Sequence, residues 1–284
     1  MIAEKMKIAV LCHPLAGTGR AVILAREIVS LLDNKHIEAQ LFSGEWPAHF
    51  DGFSHVYIVG GDGSLHHFVN QYPQIKLPLA LFAGGTGNDF HWLLYGSLKL
   101  EEQLDIVLSA NPHPIDLATC NEHYFINGAG VGFEGAVAKA LIGKKKRPGK
   151  TTFFITVLKK IFNYRSRYYH LITKERELAD RNLFIDISNG RRAGGGFYIA
   201  PTASADDGML DIVIAAAMPP WKRLYYLPQI EKGKHLHLSV IKHFQSQAIK
   251  IESDSLIQYH LDGEYYEAAA LAITILPGQL KFCF

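Results

Sequence analysis

Short apolar runs rich in β-branched residues alternate with amphipathic stretches through the first 115 residues. The runs predict strands at residues 6–12, 37–43, 55–60 and 78–83. Between and after them, helical spacing of apolar positions predicts helices at 19–33, 64–72 and 100–110. The last is marked by Leu100, Leu104, Val107 and Leu108. Strand–helix alternation of this kind implies an α/β fold with a doubly wound parallel sheet. Asn111-Pro112-His113-Pro114 breaks the third helix and sets a boundary near residue 115.

Beyond that boundary the pattern changes to many short strands separated by glycine turns. They are expected at 117–126, 167–173, 181–188, 197–200, 209–215, 235–241, 247–251, 256–261 and 271–276. This half reads as a β-sandwich or flattened barrel. The expected organisation is an α/β domain over 1–115 and a β-rich domain over 116–277. The stretch Thr151–Tyr164 interrupts the second with helical spacing.

Composition adds little until charge is placed along the chain. The 284 residues are 48% hydrophobic and 20% charged, which is ordinary globular material. Cys12, Cys120 and Cys283 are scattered, with neither metal-ligand nor disulfide spacing, so a reducing compartment is expected. Strand pattern begins by Lys7, so no leader is expected, and no apolar run approaches the ~20 residues of a spanning helix. The net charge of +2 hides an asymmetry. Lys139 to Arg167 holds ten Lys or Arg and no acid, leaving 19 bases against 27 acids elsewhere. A basic segment that also carries Phe153, Phe154, Ile155 and Phe162 suits an anionic membrane surface. A core-facing helix with a solvated basic side is the equal alternative. No RNA-binding signature accompanies the charge, so no nucleic-acid partner is expected.

Three glycine turns carry the candidate chemistry. Each follows an expected strand: His13 to Arg20 with Gly17 and Gly19, Gly60-Gly61-Asp62-Gly63-Ser64, and Gly84 to Phe90. Glycine lets backbone N–H groups approach a ligand closely, and amides at a helix start favour anions, phosphate above all. In an open parallel sheet such turns collect at the carboxyl edge, where ligands bind. Asp62 sits among them where a metal counter-ion of a phosphate would lie. Arg20 would supply a permanent charge for a phosphate oxygen, or be a solvated surface residue.

Gly60-Gly61-Asp62-Gly63-Ser64 followed by Val69-Asn70, with Gly85-Thr86-Gly87-Asn88-Asp89-Phe90 downstream, resembles the catalytic domain of diacylglycerol kinases. That superfamily also holds sphingosine, ceramide and soluble bacterial lipid kinases. Gly194-Gly195-Gly196-Phe197, Pro201, Ala203 and Asp207-Gly208-Met209-Leu210-Asp211 resemble it too, as does Asp262-Gly263-Glu264. The motifs are collinear over nearly the whole chain. They are specific for the family and weakly specific for the lipid.

The resemblance implies a kinase that transfers phosphate from ATP, with Mg2+, to the hydroxyl of a lipid, diacylglycerol first. It implies nucleotide contacts at Gly17, Arg20, Gly60, Gly61, Gly63, Ser64, Gly85, Thr86, Gly87, Asn88 and Asp89. Asp62 and Asp116 would form the magnesium network. Glu264 would be the general base, with Asp62 the other candidate for that role. A structural cation would be held by the side chain of Asp207 and the carbonyls of Ser204 and Met209, where the plain alternative is a turn needing no metal. The resemblance also implies that residues 278–284 rejoin the nucleotide-binding domain. The expected setting is cytoplasmic, peripheral at the inner membrane face, and a homodimer is admissible.

The chain departs from the family pattern at four places. His13 stands where Asn usually precedes Pro. Ser64 replaces Thr and keeps the hydroxyl. His66 and His67 replace an Asn-Glu pair, so an acid is lost beside the glycine turn. Two rival readings remain. An NAD kinase shares the Gly-Gly-Asp-Gly turn, but the Gly85 to Phe90 loop argues against it. A catalytically silent lipid or nucleotide sensor is motivated by His66 and His67.

Overall fold

The apolar run Lys7–Cys12 forms β1, with Ile8 to Cys12 wholly buried, and strands on both sides pair with it. The computed structural model describes residues 6–143 and 151–284. Lys144, Lys145, Lys146 and Arg147, part of the basic segment, lie outside the described residues. The chain forms two units, one of Met1–Ile115 with Gly278–Phe284 and one of Asp116–Pro277.

In the first unit β1 is followed by α1 (Arg20–Asn34), β2 (Glu38–Ser43), β3 (His55–Gly60), α2 (Asp62–Gln71), β4 (Leu79–Ala83), α3 (Asp89–Tyr95) and α4 (Leu100–Ser109). The strands run parallel in the order β2-β1-β3-β4. α1 buries Ala21, Ala25, Ile28 and Leu32, a stripe at helical spacing that faces the sheet and leaves the charged positions outside. α4 begins where the N–H of Lys99 donates to the Glu102 carboxylate at 3.2 Å, satisfying one of the helix's orphan donors. Residues 278–284 belong to this unit: Phe282 pairs with Leu79, and the Tyr95 hydroxyl donates to the Cys283 carbonyl at 2.8 Å.

The second unit contains β5 (Pro112–Cys120, which enters it at Asp116), β6 (His123–Phe125), β7 (Gly128–Gly132), α5 (Phe133–Leu141), α6 (Thr151–Asn163), β8 (Arg167–Ile172), β9 (Glu177–Ser188) and β10 (Leu210–Ala216). It continues through α7 (Pro220–Glu231), β11 (Ile241–Ser246), β12 (Ala248–Leu261) and β13 (Glu264–Cys283), whose end passes into the first unit. Antiparallel pairing gives the order β11-β10-β9-β7-β12-β13. β8 also pairs with both β9 and β12. β7 lies opposite residues 184–188 of β9 and β8 opposite residues 177–182. The two therefore share one strand line, which the chain leaves after Gly132 and re-enters at Arg167. That excursion contains α5 and α6. A large hydrophobic core, including Ile185, Ile187, Ile212, Ile251, Tyr259 and Leu271, fills this unit.

Several expectations for this half need correction. Residues 117–126 form a hairpin, not one strand, because Asn121 adopts a left-handed φ of 53° and turns β5 into β6. Residues 197–200 are irregular. Ile199 and Ala200 are apolar because they face a core cluster, and the buried His235 ring donates from Nε2 to the Ile199 carbonyl at 3.0 Å. Residues 235–240 are successive turns, closed by Leu238 N–H to His235 O and Ile241 N–H to Leu238 O. Their alternation arises because Leu236, Leu238 and Val240 pack on that same cluster. Strands 247–251 and 256–261 are one strand, β12, with a register shift between Glu252 and Ile257. No described helix is long and apolar enough to cross a membrane.

Candidate active site

The three glycine turns of the first unit touch backbone to backbone. Gly17 (φ 56°) lies so close to the third turn that a Cβ on it would stand 2.1 Å from the Gly84 carbonyl oxygen. A Cβ on Gly85 would stand 2.3 Å from Gly61 Cα, and one on Gly61 would stand 2.4 Å from Gly87 O. Any larger residue would force the turns apart. Over Gly60 lies the Ser64 side chain, 2.3 Å from where a Cβ would be. The Arg20 guanidinium donates to the Gly85 carbonyl, so it links the first and third turns. Asn88 shapes its own loop: its Oδ1 accepts the Gly85 N–H at 3.1 Å and its Nδ2 donates to Gly85 O at 3.2 Å.

Asp62, the first residue of α2, binds the third turn with both carboxylate oxygens. Oδ2 accepts the N–H of Asp89 at 3.2 Å and Oδ1 that of Phe90 at 3.1 Å. The carboxylate thereby caps α3. Among the described residues no side chain caps α1, which starts after Gly19, or α2, which starts after Gly61. Backbone carbonyls already take several of the opening amides: Arg20 N–H donates to Ala16 and Gly17, Asp62 N–H to Gly87 at 3.3 Å and Ser64 N–H to Gly61 at 2.9 Å, so these helix starts offer an anion chiefly their dipole. Gly63 lies in the first turn of α2, Thr86 is exposed, and Asp89 is buried at the start of α3. A Cβ on Gly87 would stand 2.9 Å from Asp62 Oδ2, so this carboxylate faces a side-chain-free cradle. One carboxylate beside phosphates and water is a usual setting for magnesium, and Asp62 fits it.

His66 and His67 have partners on and around α2. His66 is buried on α2, and the Asn70 side chain donates to its carbonyl at 2.9 Å. His67 packs on Trp46, with ring centroids 5.0 Å apart. They read as packing residues of this helix.

The second unit holds the remaining candidates. Asp262 (φ 49°) and Gly263 (φ 94°) are both left-handed, the requirement of a type I′ hairpin turn between β12 and β13. The strain at Asp262 is held by its own carboxylate. Oδ1 accepts the N–H groups of Asn127 and Gly128 at 2.9 and 3.0 Å, and Oδ2 that of Ile126 at 3.1 Å. Glu264, the next residue but one, is exposed at the head of β13. The plain hairpin and the accessible carboxylate are therefore both present in one turn.

Asp116 is 1% exposed, and its Oδ2 accepts the Gly208 N–H at 2.7 Å. Asp207 accepts Met209 N–H at 2.9 Å and Gln245 Nε2 at 3.2 Å, while the Ser204 hydroxyl donates to Asp206. Protein groups thus already close the 206–209 turn. Among the described residues no group of three or more His, Cys, Asp or Glu side chains is placed to hold a metal ion.

A further group was passed over in the sequence. Glu134, Asp186 and His260 meet in the interior of the second unit, from α5, β9 and β12. The only sequence signal was the glycine-dense strand Gly128-Ala-Gly-Val-Gly132 directly before Phe133-Glu134. Such a strand marks a close approach of another element.

Residues 7–120 match the family model described as the diacylglycerol kinase catalytic domain. Residues 128–284 match the YegS C-terminal NAD kinase beta sandwich-like domain. A Shewanella frigidimarina protein named "Probable lipid kinase YegS-like" is 30% identical over 239 residues, covering 82% of this chain and 77% of that protein. A diacylglycerol kinase of Mycobacterium tuberculosis is 27% identical over 295 residues, covering 97% and 94%. Two solved chains from Bacillus anthracis, described one as "a putative diacylglycerol kinase" and the other as a diacylglycerol kinase, superpose with TM-scores of 0.80 and 0.73 at 20% identity. Each alignment covers 98% of this chain and 96% of the other, which establishes a shared fold.

Proposed function

The chain belongs to the lipid kinase family built from a diacylglycerol kinase catalytic domain and a YegS-type C-terminal domain, and we propose that its acceptor is the hydroxyl of diacylglycerol. Kinases of this family use ATP. The observation that carries the reading is the Asp62 carboxylate, set among three interlocked glycine turns and bound to the start of α3.

Phosphoryl transfer asks the protein mainly to hold phosphates, offset their charge and align the attacking hydroxyl. The N-terminal dipoles of α1 and α2 support phosphate binding, and Arg20 adds a fixed positive charge beside them. Bound magnesium would neutralise phosphate oxygens, and Asp62 is the residue proposed to hold it. Asp116 enters that proposal, and Asp207 with Ser204 and Met209 enters the proposal of a structural cation, on the family resemblance alone. Glu264 is the proposed general base: it takes the proton of the lipid hydroxyl as the new O–P bond forms and the bond to ADP breaks. Its exposure lets that proton pass to solvent.

A peripheral position at an anionic membrane surface is part of the same proposal. α6 exposes Phe154, Ile155 and Phe162, and α7 exposes Trp221, Leu224 and Tyr225. The two helices are joined: Arg223 donates to the Ile161 and Tyr164 carbonyls at 2.8 Å each, and Leu227 packs on Val157 and Ile161. Exposed Trp, Tyr and Phe on helices that also carry Lys159 and Lys222 suit the headgroup level of a bilayer.

The test is incubation of the protein with labelled ATP, magnesium and a panel of lipids, with NAD included. Label in phosphatidic acid supports the reading. Label in a different lipid corrects the acceptor, label in NAD alone selects the rival kinase, and no label selects the silent sensor.

A further inference from the structure

Two acids lie side by side within the second unit, on the face of β12 covered by α5. Glycines let them in. A Cβ on Gly135 would stand 2.2 Å from the Gln258 carbonyl oxygen, so α5 rests directly on β12. A Cβ on Gly130 of β7 would stand 2.3 Å from Glu134 Oε2 and 2.4 Å from His260 Nε2. The side chains of Glu134 and His260 are 15% and 13% exposed, and Asp186 is 1% exposed.

The proton inventory of this cluster follows from one bond. The Gly263 N–H donates to His260 Nδ1 at 3.2 Å, so that nitrogen carries no proton. A neutral ring then has its proton on Nε2, which donates to Glu134 Oε2 at 3.3 Å. Glu134 Oε1 is buried and meets no donor among the described residues. Its neighbour is the Asp186 carboxyl, which accepts the Ser188 hydroxyl. Two buried carboxylates cannot both ionise at low cost, so one proton is shared between them. Burial pushes Glu134 up to about 8 and raises Asp186 well above the usual carboxylate range.

We propose that Glu134 and His260 are positioning residues for Glu264. Glu134 orients the His260 ring, and the ring holds the Asp262-Gly263-Glu264 turn by its backbone. The turn is thus clamped by two side chains, Asp262 on the 126–128 amides and His260 on Gly263 N–H. This inference rests on Glu264 being the base. Misplacement of a reacting group by ~1 Å can cost on the order of a hundredfold in rate, which is the scale such a clamp protects.

Two substitutions separate the halves of the ring. His260→Asn keeps an acceptor near the Nδ1 position and loses the donor to Glu134. His260→Gln keeps a donor near Nε2 and loses the acceptor for Gly263. The full-length protein is assayed for kcat and for the KM of ATP with the lipid acceptor. The expected result is a fall in kcat of about tenfold or more in His260→Gln, a smaller fall in His260→Asn, and an unchanged ATP KM in both. Equal effects of the two substitutions, or none, overturn the proposal. The 15N spectrum of the wild-type histidines supplies a readout independent of activity and of variant folding: His260 is expected as the Nε2–H tautomer, and an Nδ1–H tautomer overturns the proposal. If the wild type phosphorylates no lipid, the functional reading fails, while the tautomer still decides whether the clamp exists.

Discussion

Asp62 Oδ1 accepts the backbone N–H of Phe90 at 3.1 Å, across 28 residues of chain. With Oδ2 on Asp89 N–H, this carboxylate works as an N-cap supplied from another loop. The residue proposed to hold magnesium is therefore also the residue that sets where the third glycine turn lies. Function and local structure are coupled at one side chain, and substitutions there have to be read for both.

Asp62→Asn keeps the shape and one acceptor but removes the charge. It is expected to lose most turnover and roughly 1 kcal/mol of stability, the scale of a lost cap. Raised magnesium should recover part of the rate. Asp62→Ala loses both acceptors, so it should melt lower still and show no recovery. Magnesium titrations of kcat, run beside thermal melts, check both. Equal rescue of the two variants would remove Asp62 from the metal site.

The first unit was legible because its signals are local. The stripe Ala21, Ala25, Ile28 and Leu32 predicts α1 without reference to anything else, and each glycine turn follows its strand directly. The second unit was less legible because its determinants are distant or ambiguous. Residues 220–231 carry no element in the sequence reading, yet they form α7, which Pro220 opens where its missing N–H is not needed. The alternation at 235–240 imitated a strand because three side chains pack on one cluster. Glu134 and His260 lie 126 residues apart, so no local pattern could pair them. At the site, the glycines and Asp62 were legible as types in a spacing. The hydrogen bonds that make Asp62 a cap and Asp262 a clamp were not, since both depend on tertiary contact.

The exposed apolar residues of α6 and α7 give a prediction for membrane binding. Trp221→Ala with Tyr225→Ala should weaken sedimentation with anionic vesicles at every salt concentration, because it removes apolar contact. Charge reversal at Lys159 should instead act mainly at low salt, where screening is weak, since one basic residue near the surface contributes ~1 kcal/mol. Unchanged binding in both would return α6 and α7 to ordinary solvated helices.

Glu134 gives a prediction about pH. Its folded value is raised by burial from 4.5 to about 8, so the folded chain binds more protons than the unfolded one between those values. The stability this contributes is full below about 4.5 and is lost as pH rises through about 8. Asp186 of β9 and His260 of β12 face the group, and Asp211 of β10 acts on Asp186. Glu134→Gln keeps the shape and does not titrate. Relative to the wild type it should gain stability as pH rises through that window, by at most ~1.4 kcal/mol per pH unit. Chemical denaturation at several pH values measures the difference, and parallel curves would mean that Glu134 is ionised throughout.

Glu264→Gln tests the proposed base against the hairpin that carries it. The side chain is exposed, and its substitution leaves the Asp262 clamp and the His260 bond in place, so little stability should be lost. A residue that serves only the turn would then show little effect on rate. A general base would show a fall of ~100- to 10,000-fold in kcat. The metal site is untouched, so ATP binding should stay near normal and no magnesium concentration should restore turnover. This contrasts with Asp62→Asn, where partial recovery is expected. The two variants assayed together separate metal holding from proton acceptance. If Glu264→Gln turns over at close to the wild-type rate, the turn is a hairpin only, and Asp62 becomes the candidate base.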